Sequence, residues 1–212
     1  MTMADRHEFE ILESSVEYQG AILALRLDQV TMPGGRRAER EVVEHHGAVA
    51  VVALDDDERI VLISQYRHPL GRRLLELPAG LLDEPGEDPV EAAKRELTEE
   101  TGLAATSLSL LVDVAASPGF TDETVRIYLA DEVTEVDRPE AHDEEADIEL
   151  VRVPVDEAVS RVFSGEIVNA SAVAGILALA AVRSRSVPLR PSDAPWRDRP
   201  TAFEKRKGAH GS

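Results

Sequence analysis

Cysteine is absent from the 212 residues, which excludes a disulfide framework and any zinc or iron–sulfur site with cysteine ligands. Aromatic residues make up only 4% of the chain, so the hydrophobic core must consist mainly of aliphatic side chains. No apolar run is long enough to cross a bilayer, and the N-terminus has no apolar signal core. These absences predict a cytoplasmic protein that does not enter membranes.

Basic residues are also scarce, since 23 Lys and Arg stand against 41 Asp and Glu. The net charge of −18 at pH 7 opposes binding to a nucleic acid backbone, so DNA and RNA are not expected partners. A small phosphate-bearing ligand is compatible with this charge if metal ions mediate the contact. The alternative is that the acidic residues only increase solubility.

The order of the sequence patterns indicates three regions. Residues 1–46 contain three extended segments separated by turns, which predict an antiparallel β extension. Residues 47–186 alternate strands with one central helix and end in two further helices, which predicts a mixed α/β or α+β sandwich. Residues 187–212 are rich in proline and charge without periodicity, so a flexible tail is expected there.

Residues 88–101 carry helix signals at both ends. Asp88 can cap the first turn, and Pro89 suits the first helical position. Gly102 suits the residue that follows the last turn. The sequence therefore predicts a helix with well-defined limits.

Three glutamates lie on one side of this predicted helix: Glu96, Glu99 and Glu100. At about 100° per residue, Glu96 and Glu100 are neighbours at the border of the face that contains Leu97. Like charges at this spacing oppose helix formation unless solvent screens them or a cation binds between them. The spacing alone leaves both interpretations open, a solvated acidic helix and a metal site.

A longer pattern surrounds these glutamates. A glycine at 80 and a glutamate at 87 precede Arg-Glu-Leu at 95–97, Glu-Glu at 99–100 and Gly-Leu at 102–103. This pattern resembles the box of the Nudix hydrolases. In that family the first glycine and first glutamate are usually separated by one residue fewer than the six at 81–86. The extra residue falls in a turn, where an insertion is readily accommodated.

The resemblance implies a Nudix-type α/β/α sandwich with a mixed central sheet, in addition to the N-terminal β extension. It also implies a loop–helix–loop that binds Mg²⁺ or Mn²⁺ through Glu96, Glu100 and often Glu99. The backbone carbonyl of Ala79 would join these ligands. Carboxylate and carbonyl oxygens are the hard donors that both ions prefer.

Features outside the box are similar to the ADP-ribose pyrophosphatase branch of the family. Pro118 lies at the offset beyond the box that marks this branch, and Arg67 matches the arginine that contacts the substrate phosphates there. The resemblance implies that further residues line the substrate pocket: Arg40, Glu41, Leu81, Ser117 and Glu123. It also implies a homodimer in which the N-terminal strands are exchanged.

The implied activity is metal-dependent hydrolysis of the pyrophosphate bond of ADP-ribose, which gives AMP and ribose 5-phosphate. The base in this branch comes from a loop after the box, and residues 142–147 match it here. Glu145 is the implied base and Glu144 the second choice. Two alternatives are a broader nucleoside-diphosphate-sugar pyrophosphatase and a catalytically silent Nudix fold that senses a ligand. The intact glutamates argue against the silent fold.

Overall fold

The computed structural model describes residues 7–139 and 147–210. These residues fall into two compact units. The first unit contains the described residues of Met1–Gly47, Ser117–Glu123 and Arg199–Ser212. The second contains those of Ala48–Ala116 and Thr124–Asp198.

The first unit is built on a sheet of three antiparallel strands, which the sequence predicts. They are β1 (Ile11–Gln19), β2 (Leu23–Thr31) and β3 (Arg37–His45). The central strand β2 pairs with both neighbours. Strand β1 is largely exposed, whereas β2 alternates buried and partly exposed residues, so the sheet buries one side more than the other.

Ten strands occur in the described part of the second unit. In chain order they are β4 (Ala48–Leu54), β5 (Arg59–Arg67), β6 (Arg72–Glu76), β7 (Ala79–Leu81), β8 (Leu103–Ala105), β9 (Ser109–Ala115), β10 (Thr124–Ala130), β11 (Val133–Glu135), β12 (Glu149–Pro154) and β13 (Arg190–Pro191). One sheet has the order β12-β5-β4-β10-β9-β13, with β6 paired to β5 and β7 paired to β4. Strands β8 and β11 pair separately. Only β4 and β10 run parallel among these pairs, so the large sheet is mixed.

Three helices belong to the second unit: α1 (Pro89–Thr101), α2 (Val155–Phe163) and α3 (Ala170–Arg185). Helix α1 packs in one hydrophobic cluster and helices α2 and α3 in another. The sheet contributes residues to both clusters and therefore lies between the helices. This arrangement confirms the expected α/β/α sandwich. No helix formed by the described residues is long and apolar enough to cross a membrane.

Strand β4 shows why the segment from 48 to 54 is apolar throughout. Val49 and Val51 belong to the cluster that contains Leu97 of α1. Ala50 and Val52 belong to the opposite cluster with the second and third helices. Because successive side chains of a strand point to opposite faces, a strand covered on both sides needs apolar residues at every position.

The sequence predicts a flexible tail at residues 187–212, whereas residues 187–210 of the structure include a strand and a helix. Strand β13 pairs with β9 in the second unit, and the chain then forms α4 (Ala202–His210) in the first unit. Phe203 of α4 is buried and makes an edge contact with the ring of His46 at 4.7 Å. The segment is held by scattered single contacts, such as Phe203 on His46 and Arg206 on Glu44, and such contacts produce no periodicity that a sequence pattern could reveal.

Candidate active site

Helix α1 carries the glutamates, and its ends match the prediction. The side chain of Asp88 accepts a hydrogen bond from the backbone N–H of Val90 at 2.8 Å. Gly102 adopts a left-handed conformation with φ of 68°, and its N–H donates to the carbonyl of Thr98 at 2.9 Å. Both ends are thus satisfied by local groups, which fixes where the helix begins and ends.

Glu100 joins the helix to the start of β7. Its Oε2 accepts a hydrogen bond from the backbone N–H of Ala79 at 2.9 Å. Glu100 is buried, with 5% of its surface exposed, whereas the sequence placed it at the border between core and solvent. A buried carboxylate requires such partners because its charge has lost the hydration of bulk water.

Glu96 lies directly against Gly80. A Cβ atom at position 80 would lie only 2.0 Å from Cδ of Glu96, so only glycine leaves room for this carboxylate. Burial is the main reason that the pKa of Glu96 lies above its usual value, although Arg95 acts in the opposite direction. Glu96 is therefore a carboxylate whose negative charge is poorly stabilised by the protein alone.

Arg95 contacts three carboxylates at once. Its Nε and Nη2 donate to the two oxygens of Glu87 at 3.0 and 2.9 Å. Its Nη1 donates to Glu96 at 2.7 Å and to Glu99 at 3.0 Å. The hydrogen bond with Glu87 is the main reason that the pKa of Arg95 is raised. One positive charge is thus shared among three negative ones.

The glutamates of α1 fit a divalent cation by their chemistry. Among residues 7–139 and 147–210, no three His, Asp or Glu side chains meet in a ready metal-binding group. Glu96 and Glu99 contact Arg95 instead, and Glu100 contacts the amide of Ala79. The donors are nevertheless hard oxygens, and the space that Gly80 leaves open holds the partly buried carboxylate of Glu96, whose pKa is raised by burial.

Two of the predicted substrate residues lie in the second unit with these glutamates. Arg67 ends β5 and donates two hydrogen bonds to Glu76, at 2.9 and 2.7 Å. Leu81 ends β7, is partly exposed, and packs against the cluster that includes the second and third helices. Ala79, the predicted carbonyl ligand, starts the same strand.

The other predicted substrate residues lie in the first unit. Arg40 and Glu41 are exposed on β3, and Arg40 Nη1 donates to the carbonyl of Glu39 at 2.8 Å. The carbonyl of Ser117 accepts from the N–H of Phe120 at 3.1 Å. Glu123 lies near the first unit's His45, with 3.9 Å between Oε1 and Nδ1.

The predicted bases, Glu144 and Glu145, lie outside the described residues, and their role stays a prediction. Sequence reasoning missed Glu76, which is the partner of Arg67. The available signal was a single charged residue within the otherwise apolar segment from 74 to 82, because a buried carboxylate needs a partner of opposite charge.

Comparison with known proteins identifies the fold and the family. A sequence model described as the NUDIX domain matches residues 44–172, which covers more than half of the chain. The chain belongs to the Nudix family. The matched range contains the helix with its three glutamates and the segment that holds them. Nudix hydrolases generally require divalent metal ions, in agreement with the donor chemistry of this helix.

Two individual relatives and one solved structure are similar to this chain. The chain is 56% identical over 201 residues to an ADP-ribose pyrophosphatase from Mycobacterium tuberculosis, which covers 95% of this chain and 97% of the relative. It is 35% identical over 174 residues to a methanol dehydrogenase activator from Bacillus methanolicus, covering 82% and 94%. A crystal structure of an ADP compounds hydrolase has a similar fold, with a TM-score of 0.74 and 22% identity. The match covers 85% of this chain and 97% of that one.

Proposed function

We propose that this Nudix hydrolase cleaves the pyrophosphate bond of ADP-ribose and releases AMP and ribose 5-phosphate. The observation that carries the proposal is the helix α1, whose carboxylates Glu96 and Glu100 are held against Ala79 and Gly80. The high identity to an ADP-ribose pyrophosphatase over nearly the whole chain supports the choice of substrate.

Glu96, Glu99 and Glu100, together with the carbonyl of Ala79, are the proposed ligands of Mg²⁺ or Mn²⁺. A bound divalent cation would supply Lewis-acid stabilisation of the pyrophosphate oxygens. The protein itself holds the carboxylates in position before a metal ion binds. Arg95 orients Glu96 and Glu99 on the helix, and the amide of Ala79 holds Glu100.

Arg67 is the proposed contact to the substrate phosphates, because a guanidinium presents a planar pair of donors to phosphate oxygens. The remaining residues of the proposed pocket stand as inferred from the resemblance: Arg40, Glu41, Leu81, Ser117 and Glu123. Glu145 is the proposed base that takes the proton of the attacking water, with Glu144 as the second choice. A general base of this kind typically contributes a rate factor of about 10²–10⁴.

A homodimer with exchanged N-terminal strands is the proposed assembly, and the cytoplasm the proposed location. Strand β1 supports the assembly because its apolar side chains Ile11 and Tyr18 are more than half exposed, at 53% and 60%. Apolar side chains left uncovered on a strand are candidates for contact with another chain. The absence of cysteine is compatible with a reducing compartment.

A phosphate-release assay coupled to a phosphatase tests the activity. ADP-ribose, ADP-sugars, NADH and diadenosine polyphosphates are compared in the presence of Mg²⁺ or Mn²⁺, and ADP-ribose is expected to give the highest kcat/KM. Preference for another nucleoside-diphosphate sugar would replace the substrate assignment and leave the metal assignment intact.

The Glu100→Gln variant tests the metal assignment in the same assay. Turnover is expected to fall on the order of 10³-fold, since one charge that stabilises the transition state is lost. The matched control is Glu91→Gln, which removes a carboxylate from an exposed position of the same helix, where Glu91 pairs with Lys94 at 2.9 Å. Full activity in the Glu100→Gln variant would refute the role of α1.

A further inference from the structure

Glu76 is a buried carboxylate that the proposed mechanism does not use. It ends β6 and has 2% of its surface exposed. Both of its oxygens accept hydrogen bonds from Arg67, from Nε at 2.9 Å and from Nη2 at 2.7 Å. A two-point pair between a guanidinium and a carboxylate fixes the plane of the guanidinium as well as its position.

Arg67 and Glu76 are not paired directly opposite each other in the two strands. Glu76 pairs with Ile63 in the register of β5 and β6, whereas Arg67 pairs with Arg72. Arg67 and Ile63 are four positions apart and point to the same face of the sheet. The arginine side chain must therefore lie along the sheet to reach Glu76.

This contact restrains a side chain that solvent would otherwise leave free to move. The side chain of Arg67 is 42% exposed, whereas that of Glu76 is 3% exposed. An exposed arginine samples many rotamers and must give up that freedom when it binds a ligand. The contact with the buried carboxylate of Glu76 removes much of that rotamer freedom before a ligand binds.

The segment from Glu76 to Gly80 contacts the proposed metal ligands as well. The N–H of Ala79 donates to Glu100 at 2.9 Å, and Gly80 makes room for Glu96. A short stretch of backbone thus holds a guanidinium at its start and two glutamates of α1 at its end. Movement within this stretch would change the distance between the phosphate-binding arginine and the metal-binding carboxylates.

We propose that Glu76 is a positioning residue that orients Arg67 toward the substrate pyrophosphate and sets its place relative to Glu96 and Glu100. This inference rests on the proposed function for the contact between Arg67 and substrate. Glu76 itself has no proposed contact with substrate. It acts through the arginine, so its effect depends on the presence of that arginine.

Kinetics of single and double variants test this dependence. Glu76→Gln replaces one acceptor oxygen by an amide that cannot accept from Arg67, and KM for ADP-ribose is expected to rise about tenfold with a smaller change in kcat. Arg67→Gln is expected to raise KM at least as much. The double variant should resemble Arg67→Gln alone, because the carboxylate has no effect without the arginine. Independent effects that multiply in the double variant would overturn the proposal.

Asp113→Asn is the matched control for loss of an ion pair. Asp113 accepts from Arg126 at 2.8 Å between two other strands of the same unit. Its removal is expected to lower stability without changing KM for ADP-ribose. An equal rise of KM in this control would show that a general loss of stability, and not the position of Arg67, explains the Glu76 variant.

A second variant and a direct readout keep the test decisive if Glu76→Gln folds poorly. Glu76→Asp keeps the charge and shortens the side chain, so the same rise of KM is expected with less loss of stability. The Nε–H of Arg67, observed by ¹⁵N NMR, should exchange slowly in the wild type and rapidly in both Glu76 variants. Slow exchange in those variants would refute the positioning role.

Two further outcomes separate this inference from the proposed function. Affinity for Mn²⁺ alone should be unchanged in the Glu76 variants, and a parallel loss of Mn²⁺ binding would show that Glu76 acts through the metal ligands instead of Arg67. Failure of the wild type to hydrolyse ADP-ribose would refute the proposed function. The NMR measurement would still decide whether Glu76 orients Arg67.

Discussion

Glu44 in the first unit and Glu96 in the second are both buried or nearly buried carboxylates that contact arginine, yet their pKa values move in opposite directions. Glu44 is fully buried and accepts hydrogen bonds from Arg206 at 2.8 Å and from Arg26 at 2.5 Å. The bonds from Arg206 are the main reason that its pKa is lowered. Burial is the main reason that the pKa of Glu96 is raised.

The supply of positive charge explains the difference. Two guanidinium groups face Glu44, although Arg26 also bonds to Asp28. Glu96 shares the single guanidinium of Arg95 with two other glutamates. A carboxylate with sufficient positive partners is stable as a charge, and one without them favours a proton or a cation.

Each environment therefore suits a different task. The carboxylate of Glu44 joins β2, β3 and α4 within the first unit, since its partners Arg26 and Arg206 lie on β2 and α4. Burial raises the pKa of Glu96, a proposed metal ligand, and a divalent cation bound there would stabilise its charge. Carboxylates with a pKa raised by burial, as in Glu96, are typical of functional sites.

The largest expected effect is the loss of activity when the carboxylate of Glu96 is neutralised. Glu96→Gln should lower kcat/KM for ADP-ribose on the order of 10³-fold, because a proposed metal ligand is lost. The metal-free variant should resist urea at least as well as the wild type, since burial penalises the charge that the substitution removes. The coupled phosphatase assay and urea unfolding measure the two quantities. Loss of activity together with a marked loss of stability would mean that Glu96 is structural.

The next largest effect is the loss of stability when the carboxylate of Glu44, which faces two arginines, is neutralised. Glu44→Gln should lower the free energy of unfolding by about 3 kcal/mol, because two arginines lose the buried charge that they face. The folded variant should keep the kcat/KM of the wild type. Urea unfolding at neutral pH with kinetics on the same sample measures both, and an unchanged unfolding free energy would contradict the structural role.

The pH dependence of stability provides a third comparison. Because the pKa of Glu44 in the folded protein lies below its ordinary value of 4.5, its stabilising effect is present above that pH and is lost as the pH falls through the folded value. The difference in unfolding free energy between the wild type and Glu44→Gln should therefore shrink on acidification. A constant difference between pH 7 and pH 3 would contradict the lowered pKa.

The smallest effect is expected at the outer partner of Glu44. Arg206→Lys keeps the positive charge and loses the paired hydrogen bonds at 2.8 Å, so a loss of about 1 kcal/mol is expected. Thermal unfolding monitored by circular dichroism measures the shift. A loss as large as that of Glu44→Gln would indicate that the bond geometry, and not the charge, holds α4.

Much of the fold and part of the site could be predicted from sequence. The caps at Asp88 and Gly102 are local signals, and the apolar pattern of β4 follows from burial on two faces. The spacing of the glutamates on α1 is likewise local. These features depend on residues close together in the chain, which is why patterns reveal them.

Features that depend on distant residues could not be predicted in this way. Helix α4 is held by Phe203 against His46 and by Arg206 on Glu44, contacts between residues more than 150 positions apart. The pair of Glu76 and Arg67 depends on the register between two strands. No local pattern specifies which of many arginines will reach a given buried carboxylate.

A titration with Mn²⁺ tests the central claim, that Glu96 carries a charge in need of a cation whereas Glu44 does not. The signal of free Mn²⁺ in electron paramagnetic resonance measures binding to the wild type, to Glu96→Gln and to folded Glu44→Gln. Affinity should fall by about 100-fold or more in Glu96→Gln, beyond the 10–100-fold typical of residues that only support a metal ligand. It should stay unchanged in Glu44→Gln. Equal binding by the wild type and Glu96→Gln would contradict the claim.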